Sequence, residues 1–164
     1  MEVDYQVFQH RTYVAKAFEA FVGGLDSMEV SLSAKSISLV KEWLEFYVSW
    51  EGRRVVGFED PEQMAIKLIV DSFSVAFLKD TVSFSKSMDL GSGNGWPGLA
   101  LSLVEEGSNL WLLDSRQGAC NFLNNFIQTY NIEGTKVIQG RAEELGRRPI
   151  FREKFSLVAS RAMA

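Results

Sequence analysis

The ten residues Asp89-Leu90-Gly91-Ser92-Gly93-Asn94-Gly95-Trp96-Pro97-Gly98 decide how this chain is read. They grow out of a short apolar strand, Ser87-Met88-Asp89-Leu90, and run into a helical stretch from Pro97 to Glu106. Between a strand and a helix, glycines let the backbone turn sharply and let a ligand lie against the main chain. Gly91, Gly93 and Gly95 therefore read as a cofactor loop. Downstream the pattern repeats, with strands at 109–113, 136–138 and 155–159, a helix at 117–130, and a loop at Gly146-Arg147-Arg148-Pro149 before the last strand. This alternation predicts an α/β fold built on a parallel, Rossmann-like sheet.

Two carboxylates narrow the cofactor. Asp114 ends the second strand 23 residues after Gly91, where a carboxylate accepts hydrogen bonds from both ribose hydroxyls of an adenosine. Gly93-Asn94-Gly95-Trp96-Pro97-Gly98 also satisfies the three-glycine dinucleotide pattern, in which the helix N-terminus cradles a pyrophosphate. Asp89, two residues before the first glycine, tilts the choice. A negative charge at the strand tip suits the cationic methionyl part of S-adenosylmethionine and repels a pyrophosphate. Methyltransfer chemistry is preferred to NAD binding on this ground.

Upstream, the first half reads as helix. Phe8, Val14, Phe18 and Phe21 form part of an apolar stripe over 5–22, with Gly23-Gly24 as a stop. From Ser33 to Trp50, the residues Ile37, Val40, Leu44, Tyr47 and Val48 recur on one helix face, broadened by Trp43, Phe46 and Trp50, which reads as packed core. Asp60-Pro61-Glu62-Gln63 is a helix start, with Asp60 as cap, Pro61 in the first turn and Gln63 at the reciprocal position. That helix is predicted to run to about Leu78, with Asp71-Ser72 as either a solvated edge or a functional pair.

Composition sets outer limits. The 164 residues are 46% hydrophobic and 23% charged, enough apolar matter for one core. Apolar runs break well before the roughly 18 residues of a bilayer span, so a cytoplasmic protein without a membrane segment is expected. The single cysteine, Cys120, rules out a disulfide framework and a Cys-rich metal site, and is expected to be a buried small hydrophobe. The net charge of −4 argues against an extended nucleic-acid footprint, yet Arg141, Arg147, Arg148, Arg152, Lys154 and Arg161 crowd into the last quarter and leave room for a local basic face.

The stretch from Asp89 to Ser102, then Leu112-Leu113-Asp114-Ser115, Arg141-Ala142-Glu143-Glu144 and Ser160-Arg161-Ala162, resembles the motifs of the GidB/RsmG family in order and approximate spacing. Asp60-Pro61-Glu62 and Asp71-Ser72 are similar to its N-terminal helical region. The resemblance implies a class I S-adenosylmethionine-dependent methyltransferase sheet. Residues 1–85 would form a helical region packed on the first four strands, 86–164, in one compact domain. It further implies methylation of guanine N7 in small-subunit (16S) ribosomal RNA, with that RNA or the assembling subunit as partner. Carried over by residue, Gly91 and Trp96 would contact the cofactor, Ala142 and Glu143 would lie beside the adenine, and Arg161 would complete the pocket. The competing readings are Trp96 as a hydrophobic plug, Glu143 with Glu144 as a solvated helix start, and Arg161 as a surface ion pair. Guanine N7 has no proton to lose, so no catalytic triad is expected, and Asp71 or Asp89 is nominated only to offset the charge that develops on the purine.

Two departures stand out. Arg54-Val55-Val56-Gly57 and Leu68 replace the family's Asn-Leu-Thr-like stretch and histidine, both in the part expected near the target base. The fold resembled also continues with further strands beyond Ser160-Arg161-Ala162. An open sheet edge, a homodimer that covers it, and weak catalysis without such cover are the corresponding expectations. The alternatives are a methyltransferase-like domain acting on a small molecule or protein, and a catalytically silent domain binding S-adenosylmethionine or a partner.

Overall fold

Strand β1 (Lys86–Leu90) lies between β2 (Asn109–Asp114) and β4 (Leu157–Ser160), and β3 (Thr135–Gln139) pairs on the far side of β2. All three pairings are parallel, with Asp89 opposite Leu112 and Ala159, and Leu113 opposite Ile138. The computed structural model describes residues 5–52, 57 and 59–161. The departure at Arg54-Val55-Val56 lies outside the described residues.

The strand interiors explain this layering. Leu110 and Leu112 are fully buried against α4 (Gly98–Val104) and α5 (Gln117–Thr129), whose apolar faces include Leu99, Leu101, Phe122, Leu123 and Phe126. Residues one step out of phase point the other way, and Met88, Leu113 and Trp111 pack with Leu145, Phe151 and Phe155 in a second, smaller cluster. That face is covered by the single turn α6 (Ala142–Leu145) and the segment leading into β4. Among the described residues the outer edge of β4 has no paired strand, and Val158 on it is 51% exposed.

The helical region shares the larger core with the sheet. In α2 (Ala34–Ser49), Ser33 caps the helix by accepting the Ser36 amide, and Val40, Trp43 and Leu44 are fully buried. Trp43 meets Phe122 of α5 at 6.3 Å between ring centres, and Phe46 meets Phe122 and Phe126 at 5.2 and 5.5 Å. The aromatic stripe is thus a core seam joining the helices to the sheet. Cys120 is buried, and its thiol donates to the Asp114 carbonyl. No described helix is long and apolar enough to cross a membrane.

Two local expectations need correction. Helix α1 (Tyr5–Ser27) does not stop at Gly23-Gly24 but continues through both. A Cβ on Gly24 would stand 2.6 Å from a Val70 methyl, so this glycine lets two helical segments touch rather than ending one. The helix instead ends where Glu29 adopts a positive φ of 55° and the Val30 amide bonds back to Leu25. Gly24→Val is expected to lower stability by about 1–3 kcal/mol through overpacking, read as a shift in urea midpoint at constant slope.

The helix beginning at Asp60 is not uniform. Asp60 caps it as expected, accepting the Glu62 and Gln63 amides, but Gln63 accepts from Lys67 instead of closing the reciprocal cap. After the α-helical turn α3 (Pro61–Met64), the chain widens to a π turn over Ala65–Val70 and tightens to a 3₁₀ turn over Phe73–Leu78. At the wide turn the Leu68 carbonyl accepts from the Ser72 hydroxyl and from Arg161, which lies beyond β4. The Leu68 carbonyl thus takes two side-chain donors where the helix leaves its regular period, one of them from a residue far along the chain that a periodic pattern does not register.

Candidate functional site

The glycine loop sits where the C-terminal ends of β1 and β2 meet, the usual position for a ligand in an open α/β sheet. Its turn is held by the sheet itself, because the Gly91 and Ser92 amides both donate to the Leu113 carbonyl, at 2.8 and 3.0 Å. Gly95 has φ of 105°, and a Cβ there would stand 2.7 Å from Leu99. Gly98 marks a close approach, since a Cβ would lie 2.5 Å from Leu112 and 2.8 Å from Asp89.

Asp89 lies wholly buried at the tip of β1. One carboxylate oxygen, Oδ2, accepts the Gly98 amide at 3.1 Å, and the other, Oδ1, is buried with no partner. Burial pushes this carboxyl up to about 7, against the opposing pull of the Gly98 amide, the Ser92 hydroxyl and the Arg161 guanidinium. A buried acceptor left open at a strand tip is what a ligand cation would satisfy.

Asp114, at the end of β2, is in a different state. Burial raises its pKa, but the Arg116 side chain, the Arg116 amide and the Gly93 amide outweigh that and hold it below the usual carboxylate range. Gly93 donates to Oδ2 at 2.8 Å and the Arg116 amide to Oδ1 at 2.9 Å, while the Arg116 guanidinium spans both oxygens at 3.2 Å. The Arg116 side chain is 65% exposed, so it can swing away and release acceptors to two vicinal hydroxyls.

The remaining nominees divide. Arg161 is turned inward: it donates to the Leu68 and Trp96 carbonyls at 3.2 and 3.3 Å and faces Asp71 at 3.4 Å. It thereby ties the helical region to the cofactor loop, and Asp71, itself exposed, reaches the site only through it. The Trp96 ring is a core plug, wedged between Trp43 at 5.6 Å and Phe73 at 5.9 Å. Ala142 and Glu143 open α6 just past Gly140, whose amide bonds the main-chain carbonyl of Asp114, and Ala142 packs on the smaller apolar cluster. The Glu143 side chain points outward and pairs with Arg141 at 3.4 Å. Among the described residues, no group of His, Cys, Asp and Glu is placed to hold a metal ion.

A profile described as GidB, rRNA small subunit methyltransferase G, matches residues 36–164. The chain belongs to the GidB family. Curated relatives in it carry the name ribosomal RNA small subunit methyltransferase G. That of Caldanaerobacter subterraneus is 33% identical over 150 residues, 91% of this chain and 63% of the relative. That of an Exiguobacterium species is 32% identical over 88% of this chain and 61% of its own length. This GidB-family chain therefore spans about six tenths of the length of the relatives it matches.

Solved structures agree on the fold. A putative protein-L-isoaspartate O-methyltransferase from Plasmodium falciparum, in complex with S-adenosyl-L-homocysteine, aligns with TM-score 0.52 at 13% identity over 87% of this chain and 72% of its own. A second structure titled protein-L-isoaspartate O-methyltransferase aligns with TM-score 0.53 at 14% identity over 88% of this chain and 47% of its own. The parallel sheet that the alternation of strand and helix predicted is present, and with its helical preface it shares the fold of these methyltransferase structures, as the family resemblance implied.

Three contributors to the site escaped the sequence reading. Trp43 was placed in the apolar stripe, yet its indole Nε1 also donates to the Asn94 carbonyl at 3.0 Å and pins the loop from outside. Arg116 follows Asp114 by two residues and carries no motif. The Leu68 carbonyl is a main-chain group, which no pattern of side chains marks.

Proposed function

We propose that this chain binds S-adenosylmethionine and transfers its methyl group to guanine N7 of small-subunit ribosomal RNA. The observation that carries the cofactor assignment is the buried, unpartnered Oδ1 of Asp89 at the strand tip, one strand away from the ionised Asp114. Bound S-adenosylmethionine supplies an electrophilic methyl group. Asp89 would take its cationic methionyl end, Gly91, Gly93 and Gly95 would line its path along the loop, and Asp114 would accept the ribose hydroxyls. Trp96 would hold the loop by its buried ring while its carbonyl rests on Arg161. Ala142 and Glu143 would flank the adenine.

For attack by N7 the protein need only hold the purine in line with the methyl carbon, so positioning carries most of the effect. Asp71, held beside Arg161, would offset the positive charge that the purine gains. A cytoplasmic, ribosome-associated protein fits this reading, and the unpaired outer edge of β4 is where a second copy would pair.

Isothermal titration with S-adenosylmethionine and, separately, NADH tests the first half. Micromolar binding of the first alone is expected, and preference for NADH would overturn the cofactor. Tritium transfer from labelled S-adenosylmethionine to small-subunit RNA tests the second. Cofactor binding with no transfer to RNA or to assembling subunits would leave the silent binding domain as the better account.

A further inference from the structure

On the sheet face away from α4 and α5, two lysines are held over one indole. Lys86 at the start of β1 has its Nζ 5.0 Å from the Trp111 ring centre and 5.1 Å from that of Phe155, and Lys136 of β3 has its Nζ 5.5 Å from the same Trp111. The indole is fixed edgewise by Phe151 at 5.7 Å and Phe155 at 5.3 Å. These rings, with three bonds between Ser156 and the Lys86 backbone, dock the segment 147–156 along the lysines. That segment brings Arg147, Arg148, Arg152 and Lys154, all exposed, against the single carboxylate of Glu153, which pairs with Arg152 at 3.7 Å.

Cation–π contact fixes an ammonium in place without using its N–H donors. Among the described residues neither Lys86 nor Lys136 has a carboxylate or hydrogen-bond acceptor on its Nζ. Two like charges sharing one ring, with four exposed cations on the docked segment, leave a local positive excess on a chain whose net charge is −4. Such an excess has an evident counterpart in closely spaced phosphates, which lysines meet as point charges without reading sequence. Along β1, five residues separate Lys86 from Gly91, about 16 Å at the rise of a strand. The patch is therefore a separate surface, close enough for one RNA strand to touch both.

We propose that the face formed by Lys86, Trp111, Lys136 and the segment 147–154 is a docking surface for the phosphodiester backbone of RNA, distinct from the cofactor loop. It rests on the reading of this protein as acting on RNA. The footprint is electrostatic rather than base-stacking, because the Trp111 ring is already covered by the two ammonium groups and flanked by two phenyl rings.

The test is fluorescence anisotropy of the 164-residue chain with a labelled single-stranded RNA of about 20 nucleotides from the small-subunit RNA, at several salt concentrations. The variants are Lys86→Ala with Lys136→Ala, Arg147→Ala with Arg148→Ala, and the charge-preserving Lys86→Arg with Lys136→Arg. Each alanine pair is expected to weaken binding about tenfold or more at low salt and to reduce the salt slope by about 1.4, while the arginine pair stays close to the unaltered chain. Unchanged affinity for S-adenosylmethionine shows that each variant is folded; the arginine-loop pair, exposed on the surface, carries the test if the lysine pair fails to fold. RNA binding that is tight in all variants would overturn the surface and leave the RNA-substrate reading standing. Loss of RNA binding by the unaltered chain would overturn both. Equally tight binding of polyglutamate would assign the surface to an acidic protein instead.

Discussion

Replacing Asp89 with Asn is expected to stabilise the chain above neutral pH and, in the same step, to weaken S-adenosylmethionine binding at least tenfold. Both effects come from one buried carboxyl. Its folded pKa of about 7 lies above the ordinary 3.8, so between these values the native state keeps a proton that the unfolded chain gives up. Stability from this group is full below the lower value and is lost as pH rises through the upper one, by up to about 4 kcal/mol. Asparagine retains the oxygen that accepts the Gly98 amide and never ionises. Urea midpoints of the two proteins should therefore diverge between pH 5 and pH 8, with the variant ahead at the higher pH. Cofactor affinity should move the other way: it should rise with pH through about 7 in the unaltered chain, as the carboxylate ionises to meet a cation, and stay flat in the variant. A variant with unchanged affinity and unchanged pH response would remove Asp89 from the site.

Asp114→Ala should abolish measurable cofactor binding, a loss of a hundredfold or more, since the proposed ribose acceptors disappear together. It should also cost stability, about 1–3 kcal/mol, because the buried Gly93 amide and the partly buried Arg116 amide lose their acceptor. The two effects separate in a companion variant. Arg116→Ala leaves the carboxylate and both amide bonds in place but removes the guanidinium that spans its oxygens, so S-adenosylmethionine should bind it as tightly as the unaltered chain or more tightly. Titration of the three proteins at one pH, alongside their urea midpoints, reads both. Weaker binding by the Arg116 variant would mean that the guanidinium is part of the cofactor site rather than a displaceable cover.

Much of this protein was legible in its sequence for a simple reason: period and punctuation are local. The alternation of apolar strands and helices, the helix read at 117–130, the Asp60 cap and the glycine loop depend on neighbours a few residues apart, and each forms close to where it was read. The two carboxylates were legible as well, because their places at the strand ends follow from the strands. Their unlike states were not. Asp89 and Asp114 end adjacent strands and carry the same side chain, yet one has an open oxygen and a pKa near 7 while the other is ionised under a guanidinium and two amides. That difference is made by Gly98, Gly93 and Arg116 converging in space.

Long-range contact also decided what local pattern misread. Gly23-Gly24 resembles a helix stop until Val70 is packed against it, and the 61–78 helix looks regular until Arg161, 93 residues after Leu68, takes a carbonyl from it. Likewise one of the basic residues of the last quarter, Arg161, is drawn inward, while Lys86 and Lys136, far apart in the chain, meet over Trp111. The sequence by itself determined the layered α/β fold, the cofactor loop and its carboxylates, because hydrophobic period and turn chemistry act over a few residues. Only the tertiary structure decided the charge state of each carboxylate, the latch between the helices and the loop, and the surface where positive charge collects. Desolvation, hydrogen bonding and Coulomb interaction depend on which groups the finished fold brings within a few ångströms of one another.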